Sequence, residues 1–192
     1  MKLVVAITGA TGAIIGIRLL QALREREVET HLILSKWARA TIQLETDWQV
    51  KEVQALASKT WSEHDQAAAI SSGSFRVNGM VIAPCSMKTL AAIRSGFGDG
   101  LIARAADVTL KEQRKLILVP RESPLNAIHL ENMLALTRAG AMMLPPMPAF
   151  YNRPASTADI VDHFVARILD QFAIDNDLTQ RWGETSPAST MA

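Results

Sequence analysis

Three glycines, Gly9, Gly12 and Gly16, follow an apolar run in LVVAITGATGAIIGIRLL, residues 3–20. A glycine turn between a strand and a helix is a place where the main chain can close on a phosphate. Gly9 and Gly12 would let the backbone approach an anion, Thr11 offers a hydroxyl, and the helix start offers unpaired N–H donors. A plain tight turn fits this loop alone equally well. The spacing G-x-x-G-x-x-x-G is not the dinucleotide fingerprint G-x-G-x-x-G. The next apolar run, THLILSK, ends in Ser35-Lys36 with no carboxylate for a ribose. The sole tyrosine, Tyr151, is followed four residues on by Ala155 rather than by lysine. These features argue against a nicotinamide dinucleotide and leave a mononucleotide phosphate open.

Other candidates sit after further apolar runs. In APCSMKTL (83–90), Ser86 and Thr89 flank a helix start and could meet a polar or anionic group, although Ser86 by itself reads as a simple N-cap. LVPRES (118–123) places Arg121 and Glu122 directly after a strand. A buried, unpaired arginine there would be costly, so it calls for an anion, a pairing with Glu122 or a solvated turn. PAFYNRP (148–154) carries Tyr151 in a proline-rich loop, and Arg167 shares a polar helical stripe with Asp159, His163 and Asp170 that reads as a solvated face. A helix terminus contributes at most ~2 kcal/mol to anion binding, whereas micromolar affinity needs about 8 kcal/mol. The ligand must therefore also bury apolar area or recruit several cations. A flavin mononucleotide does both, though composition alone does not single it out.

The elements that must position these residues alternate. Strands are predicted at Leu3–Thr8, Thr30–Leu34, Gly79–Ala83, Leu116–Val119 and Ala141–Leu144. Their runs are continuous rather than alternating, as in parallel strands covered on both faces. Helices are predicted near 13–26, 36–45, 86–95, 101–114, 126–138 and 157–173; the last carries Ile160, Val161, Phe164, Val165, Ile168, Leu169 and Phe172 on one face. This order predicts a three-layer α/β fold, an open doubly wound parallel sheet of flavodoxin-like or Rossmann-like kind, with ligands beyond the carboxyl ends of the strands.

Length and composition narrow the class. The 192 residues suit one domain, expected over 1–184, with a small polar tail at 185–192 expected to be disordered. The formal charge of +1, without a long Lys/Arg cluster, argues against nucleic-acid or membrane partners. Cys85 is the only cysteine, which suits a reducing compartment. The opening apolar run breaks at Thr8-Gly9, too early for a signal peptide, so a cytoplasmic location is expected.

Taken together, AITGATGAIIGIRLL, LILSKWA, ETD, APCSMKTLAAI, LIARAADVTLKEQRKLILVPRESPLNAIHLENML, GAMMLPPMPAFYNRP, VARILD and RWGE resemble the UbiX-like flavin prenyltransferases over residues 2–184. The resemblance implies a large homo-oligomer, commonly a dodecamer, that joins the dimethylallyl group of dimethylallyl monophosphate to N5 and C6 of reduced FMN. The product, prenylated FMN, passes to a UbiD-like aromatic-acid decarboxylase. It implies that FMN is bound by Thr8, Gly9, Ala10, Thr11, Ser35, Ser86, Met87, Lys88, Thr89 and Arg121. It assigns the donor phosphate to Tyr151 and Arg167 with Lys111 and Arg121 close by, and proton handling to Glu45 and Glu122. Thr11 stands where the family often has serine. No aspartate-rich run occurs, so no metal site is expected. Two rivals remain: a flavoprotein that oxidatively decarboxylates cysteine-ended substrates, and a non-catalytic flavin carrier. VPRESPLN, with Arg121-Glu122, departs from the clasp expected of the former.

Overall fold

The computed structural model describes residues 1–183; the expected tail at 185–192, and Glu184 of RWGE, lie outside them. Six parallel strands form one sheet: β1 (Lys2–Ile7), β2 (Glu29–Leu34), β3 (Lys59–Trp61), β4 (Gly79–Cys85), β5 (Lys115–Pro120) and β6 (Met142–Met143). Their order is β3-β2-β1-β4-β5-β6. The chain winds outward from β1 through β2 to β3, then crosses back to β4 and winds the other way. The direction therefore reverses between β1 and β4, the position at which a doubly wound sheet opens a ligand crevice.

The helices are α1 (Ala13–Glu25), α2 (Lys36–Glu45), α3 (Val50–Leu56), α4 (Met87–Ser95), α5 (Leu101–Lys111), α6 (Ala127–Arg138) and α7 (Thr157–Gln171). Every residue of β4 is buried, as are all but the first residues of β1, β2 and β5. That burial on both faces is why these strands read as unbroken apolar runs. The expected α/β fold is the one observed. Sequence reading missed α3, the edge strand β3 and a single 3-10 turn at Ala69–Ser71. β3 has three residues, one exposed and two half-buried, too short to show a period.

Within the span expected as one domain, the residues group into two compact units. The first, Met1–Pro146, holds the whole sheet and α1 to α6; the second begins at Met147 and holds α7.

Candidate active site

In the first unit, chemistry gathers where strands end and helices begin. Thr8, fully buried at the end of β1, binds across the crevice to the end of β4: its hydroxyl donates to the Pro84 carbonyl at 2.8 Å and accepts from the Ser86 N–H at 2.8 Å. That hydroxyl is spent on holding the two strand ends together. The first glycine loop has a similar structural task. A Cβ on Gly9 would collide with the Cβ of Trp37, so the loop lies directly on α2. Gly12 takes φ +96°, a left-handed conformation that glycine accepts freely.

The anion that this loop meets belongs to the chain. The Glu45 carboxylate accepts from the N–H groups of Gly12 at 2.8 Å and Ala13 at 3.3 Å. A second carboxylate, that of Glu63, accepts from the N–H of Lys36 at 2.9 Å and so covers the start of α2. The main-chain carbonyl of Glu63 takes the first N–H of α5, that of Leu101, at 2.7 Å. At α4, Ser86 caps the Thr89 N–H and shares a hydrogen bond with its hydroxyl. The N–H groups of Met87 and Lys88 have no acceptor among the described residues. Each of the four helix starts thus has at least one N–H taken by a protein oxygen, and at α4 the Met87 and Lys88 N–H groups are left for another acceptor, with a lysine in the same turn. A cation at the positive end of a helix dipole is unfavourable unless an anion joins it.

Beside this opening lies a cavity of about 420 Å³, within the roughly 300–1,000 Å³ of small-molecule sites. Gly9, Ser35, Ser86, Lys88 and Thr89 line it, five of the residues expected from the sequence. Lys36, Trp37, Glu63, His64, Asp99, Gly100, Ile102 and Ala103 line it as well and were not expected. Lys36 was visible next to Ser35. Glu63 and His64 follow the unrecognised β3, so their place on this rim could not be read. His64 Nε2 lies 3.4 Å from Glu63 Oε1.

The other expected residues fall elsewhere. Ala10 is buried, Thr11 exposed and Met87 half-buried. Arg121 and Glu122 are exposed at the end of β5, with the Arg121 N–H donating to the Cys85 carbonyl at 3.2 Å. Glu122 does not pair with Arg121 among the described residues; its carboxylate accepts from the Ser123 N–H at 3.0 Å. Lys111 departs from the expectation that it stands close to Arg121. It ends α5, four residues before β5 starts, and therefore lies at the amino rim of the sheet, paired with Glu112. A helix that begins beside the strand ends must finish at the opposite edge to feed the next parallel strand. Among the described residues no cluster of three or more His, Cys, Asp or Glu could hold a metal ion.

Tyr151 and Arg167 both lie in the second unit. Arg167 is half exposed and donates to Asp170 at 3.2 Å. The solvated stripe read from the sequence is only partly so: His163 is buried, with its Nδ1 3.1 Å from the Thr179 hydroxyl. Tyr151 packs edge-on against His163, with ring centroids 5.8 Å apart.

The model of the Flavoprotein family matches residues 1–169. A probable UbiX-like flavin prenyltransferase of Escherichia coli O157:H7 is 63% identical over 183 residues, 95% of this chain and 93% of that one. The chain belongs to the UbiX-like flavin prenyltransferases. Two solved structures agree. A dodecameric FMN-dependent UbiX-like decarboxylase from Escherichia coli O157:H7 superposes with a TM-score of 0.93 at 63% identity, covering 95% of this chain and 99% of that one. AnUbiX (PadA1), solved with FMN and dimethylallyl pyrophosphate, also gives 0.93, at 57% identity and covering 94% and 96%. In this flavin prenyltransferase the N–H groups of Met87 and Lys88 and the Lys88 ammonium can receive an anion, and Trp37, Ile102 and Ala103 supply apolar wall to the cavity.

Proposed function

We propose that the rim cavity binds FMN with its phosphate at the start of α4. The observation that carries this is the pair of unmet N–H groups of Met87 and Lys88 beside the Lys88 ammonium and the Ser86 and Thr89 hydroxyls. Ser35 and Gly9 line the same cavity and fit the ribityl chain. Thr8 acts beneath the site, fixing the crevice rather than touching the flavin. Arg121, exposed at the next strand end, is left for the ligand's anionic edge.

The reaction joins a dimethylallyl group to N5 and C6 of reduced FMN. An allylic C–O bond breaks and the phosphate departs with the electron pair, so groups that stabilise the leaving anion lower the barrier. We assign that task to Tyr151 and Arg167, which offer a phenol and a guanidinium suited to a phosphate. The apolar wall keeps water from the allyl cation. Closing the second bond consumes the remaining allyl double bond, so one of its carbons gains a proton while C6 loses one, a transfer suited to a carboxylate near the flavin edge. Glu122 has that exposure, whereas Glu45 would first have to leave Gly12 and Ala13. A related chain is dodecameric, and a homo-oligomer would resolve the position of Lys111 by bringing the amino rim of a neighbouring copy to this site. The exposed apolar side chains of α6, Ile128, Leu130 and Leu134, provide a contact surface for such copies. Reduced flavin and a single cysteine favour a cytoplasmic setting, with the product passed to a UbiD-like aromatic-acid decarboxylase.

The test is anaerobic incubation of the protein with FMN, dithionite and dimethylallyl monophosphate, followed by mass spectrometry of the extracted flavin. The expected flavin is heavier by one dimethylallyl unit with the loss of inorganic phosphate from the donor. Recovery of unmodified FMN alone would overturn the proposal.

A further inference from the structure

Two motifs that the sequence singled out, VARILD (165–170) and RWGE (181–184), have no place in the site as described so far, yet the fold joins them. Asp170 ends the first and Arg181 opens the second. Arg181 grips Asp170 at two points, Nη2 to Oδ1 at 2.7 Å and Nη1 to Oδ2 at 3.0 Å. Asn176 adds a third donor to Oδ1 at 3.1 Å. Arg167 reaches the same carboxylate by a single bond, Nη1 to Oδ2 at 3.2 Å. The next residue along, Trp182, packs edge-on against Tyr151 with centroids 5.4 Å apart. Thr179 ties the segment down from the other side, through His163 Nδ1 at 3.1 Å and the Asn152 side chain at 3.3 Å.

We propose that the Asp170–Arg181 pair is a positioning clasp: it draws the 176–182 segment back onto α7 so that Tyr151 and Arg167 are held ready for the prenyl donor's phosphate. This rests on the reading that Tyr151 and Arg167 bind that phosphate. Two guanidiniums share the Asp170 carboxylate. Arg181 takes the two-point grip, which satisfies both carboxylate oxygens and leaves Arg167 with the weaker, half-exposed contact. An arriving dianion can therefore draw Arg167 away without stranding Asp170. Without Arg181, the carboxylate would keep Arg167 as its one cationic partner beside the Asn176 amide and compete with the donor, and Trp182 would lose its anchor beside Tyr151. Burial pulls the Asp170 carboxyl upward, but the Arg181 and Asn176 hydrogen bonds and the two arginine charges outweigh it and hold the group below its ordinary value, so the clasp is charged in neutral solution.

The test is steady-state kinetics of the full chain with saturating reduced FMN and varied dimethylallyl monophosphate, alongside FMN affinity by fluorescence quenching. Arg181→Ala is expected to raise the donor KM about ten-fold, with kcat changed less than about two-fold and FMN affinity unchanged. In an Arg167→Ala background the same change is expected to add no further rise, because the clasp acts through Arg167. An equal rise in both backgrounds, or a parallel loss of FMN affinity, overturns the clasp. Should Arg181→Ala fail to fold, Arg181→Lys decides: it keeps the charge without the fork, and a KM rise of about three-fold is expected, whereas an unchanged KM overturns the proposal. If Arg167→Ala and Tyr151→Phe themselves leave the donor KM unchanged, the donor-site reading falls; if they raise it and the Arg181 variants do not, only the clasp falls.

Discussion

At Thr8, one hydroxyl with no exposed surface donates to Pro84 and accepts from Ser86. Replacing it by valine keeps the shape and leaves the Ser86 N–H without its partner. Thr8→Val is expected to cost about 1–3 kcal/mol of unfolding free energy, measured by urea titration, and to weaken FMN binding because the α4 start loses its anchor. His163 gives a pH dependence. Burial and the neighbouring Arg167 charge hold its imidazole below the ordinary 6.5, with Asp170 opposing them. The folded chain thus binds fewer protons there than the unfolded chain. The contribution to stability is complete above 6.5 and is lost as pH falls through the lower folded value. The melting temperature should therefore fall more steeply below pH 6.5 in the wild type than in His163→Gln; parallel curves would refute this assignment.

Among the elements, α4 leaves the Met87 and Lys88 N–H groups of its first turn without an acceptor among the described residues, with a lysine in the same turn. Lys88→Ala should weaken FMN binding roughly five-fold at low ionic strength, and the difference from wild type should shrink as salt screens the charge. A salt-independent loss would point to altered packing instead. The β1–α1 loop carries a steric constraint as well. Gly9→Ala would drive a methyl group into Trp37, so either α2 shifts or the loop lifts. We expect a destabilisation of about 1–3 kcal/mol, and Trp37 fluorescence that responds differently to FMN.

For the molecule as a whole, the positions of Lys111 and the strand-end residues raise the matter of assembly. Within one copy Lys111 is at the amino rim, and the residues expected to handle FMN are at the carboxyl rim. If neighbouring copies complete one another's sites, Lys111→Ala and Arg167→Ala proteins, each impaired alone, should regain up to about one quarter of wild-type activity when unfolded and reassembled as a one-to-one mixture. No recovery in mixed oligomers would place Lys111 outside the site. Charging the exposed face of α6, as in Ile128→Asp with Leu134→Asp, should lower the oligomer size seen by light scattering.

Much of this was determined by the sequence alone. Continuous apolar runs announced β1, β2, β4 and β5 because strands buried on both faces need no polar alternation, and Ser86 marked a helix start that it does cap. The motifs in their order carried the family. Only the tertiary structure decided which polar groups meet. Glu45 reaches Gly12 across 33 residues and Glu63 reaches Lys36 across 27, and no local period reports such a pairing. The same holds for Lys111: its residue type suits a phosphate, but the direction of α5 through the layer sends it to the far rim. Periodicity records which face of an element is buried, whereas the partners of a side chain depend on the path of the chain between them.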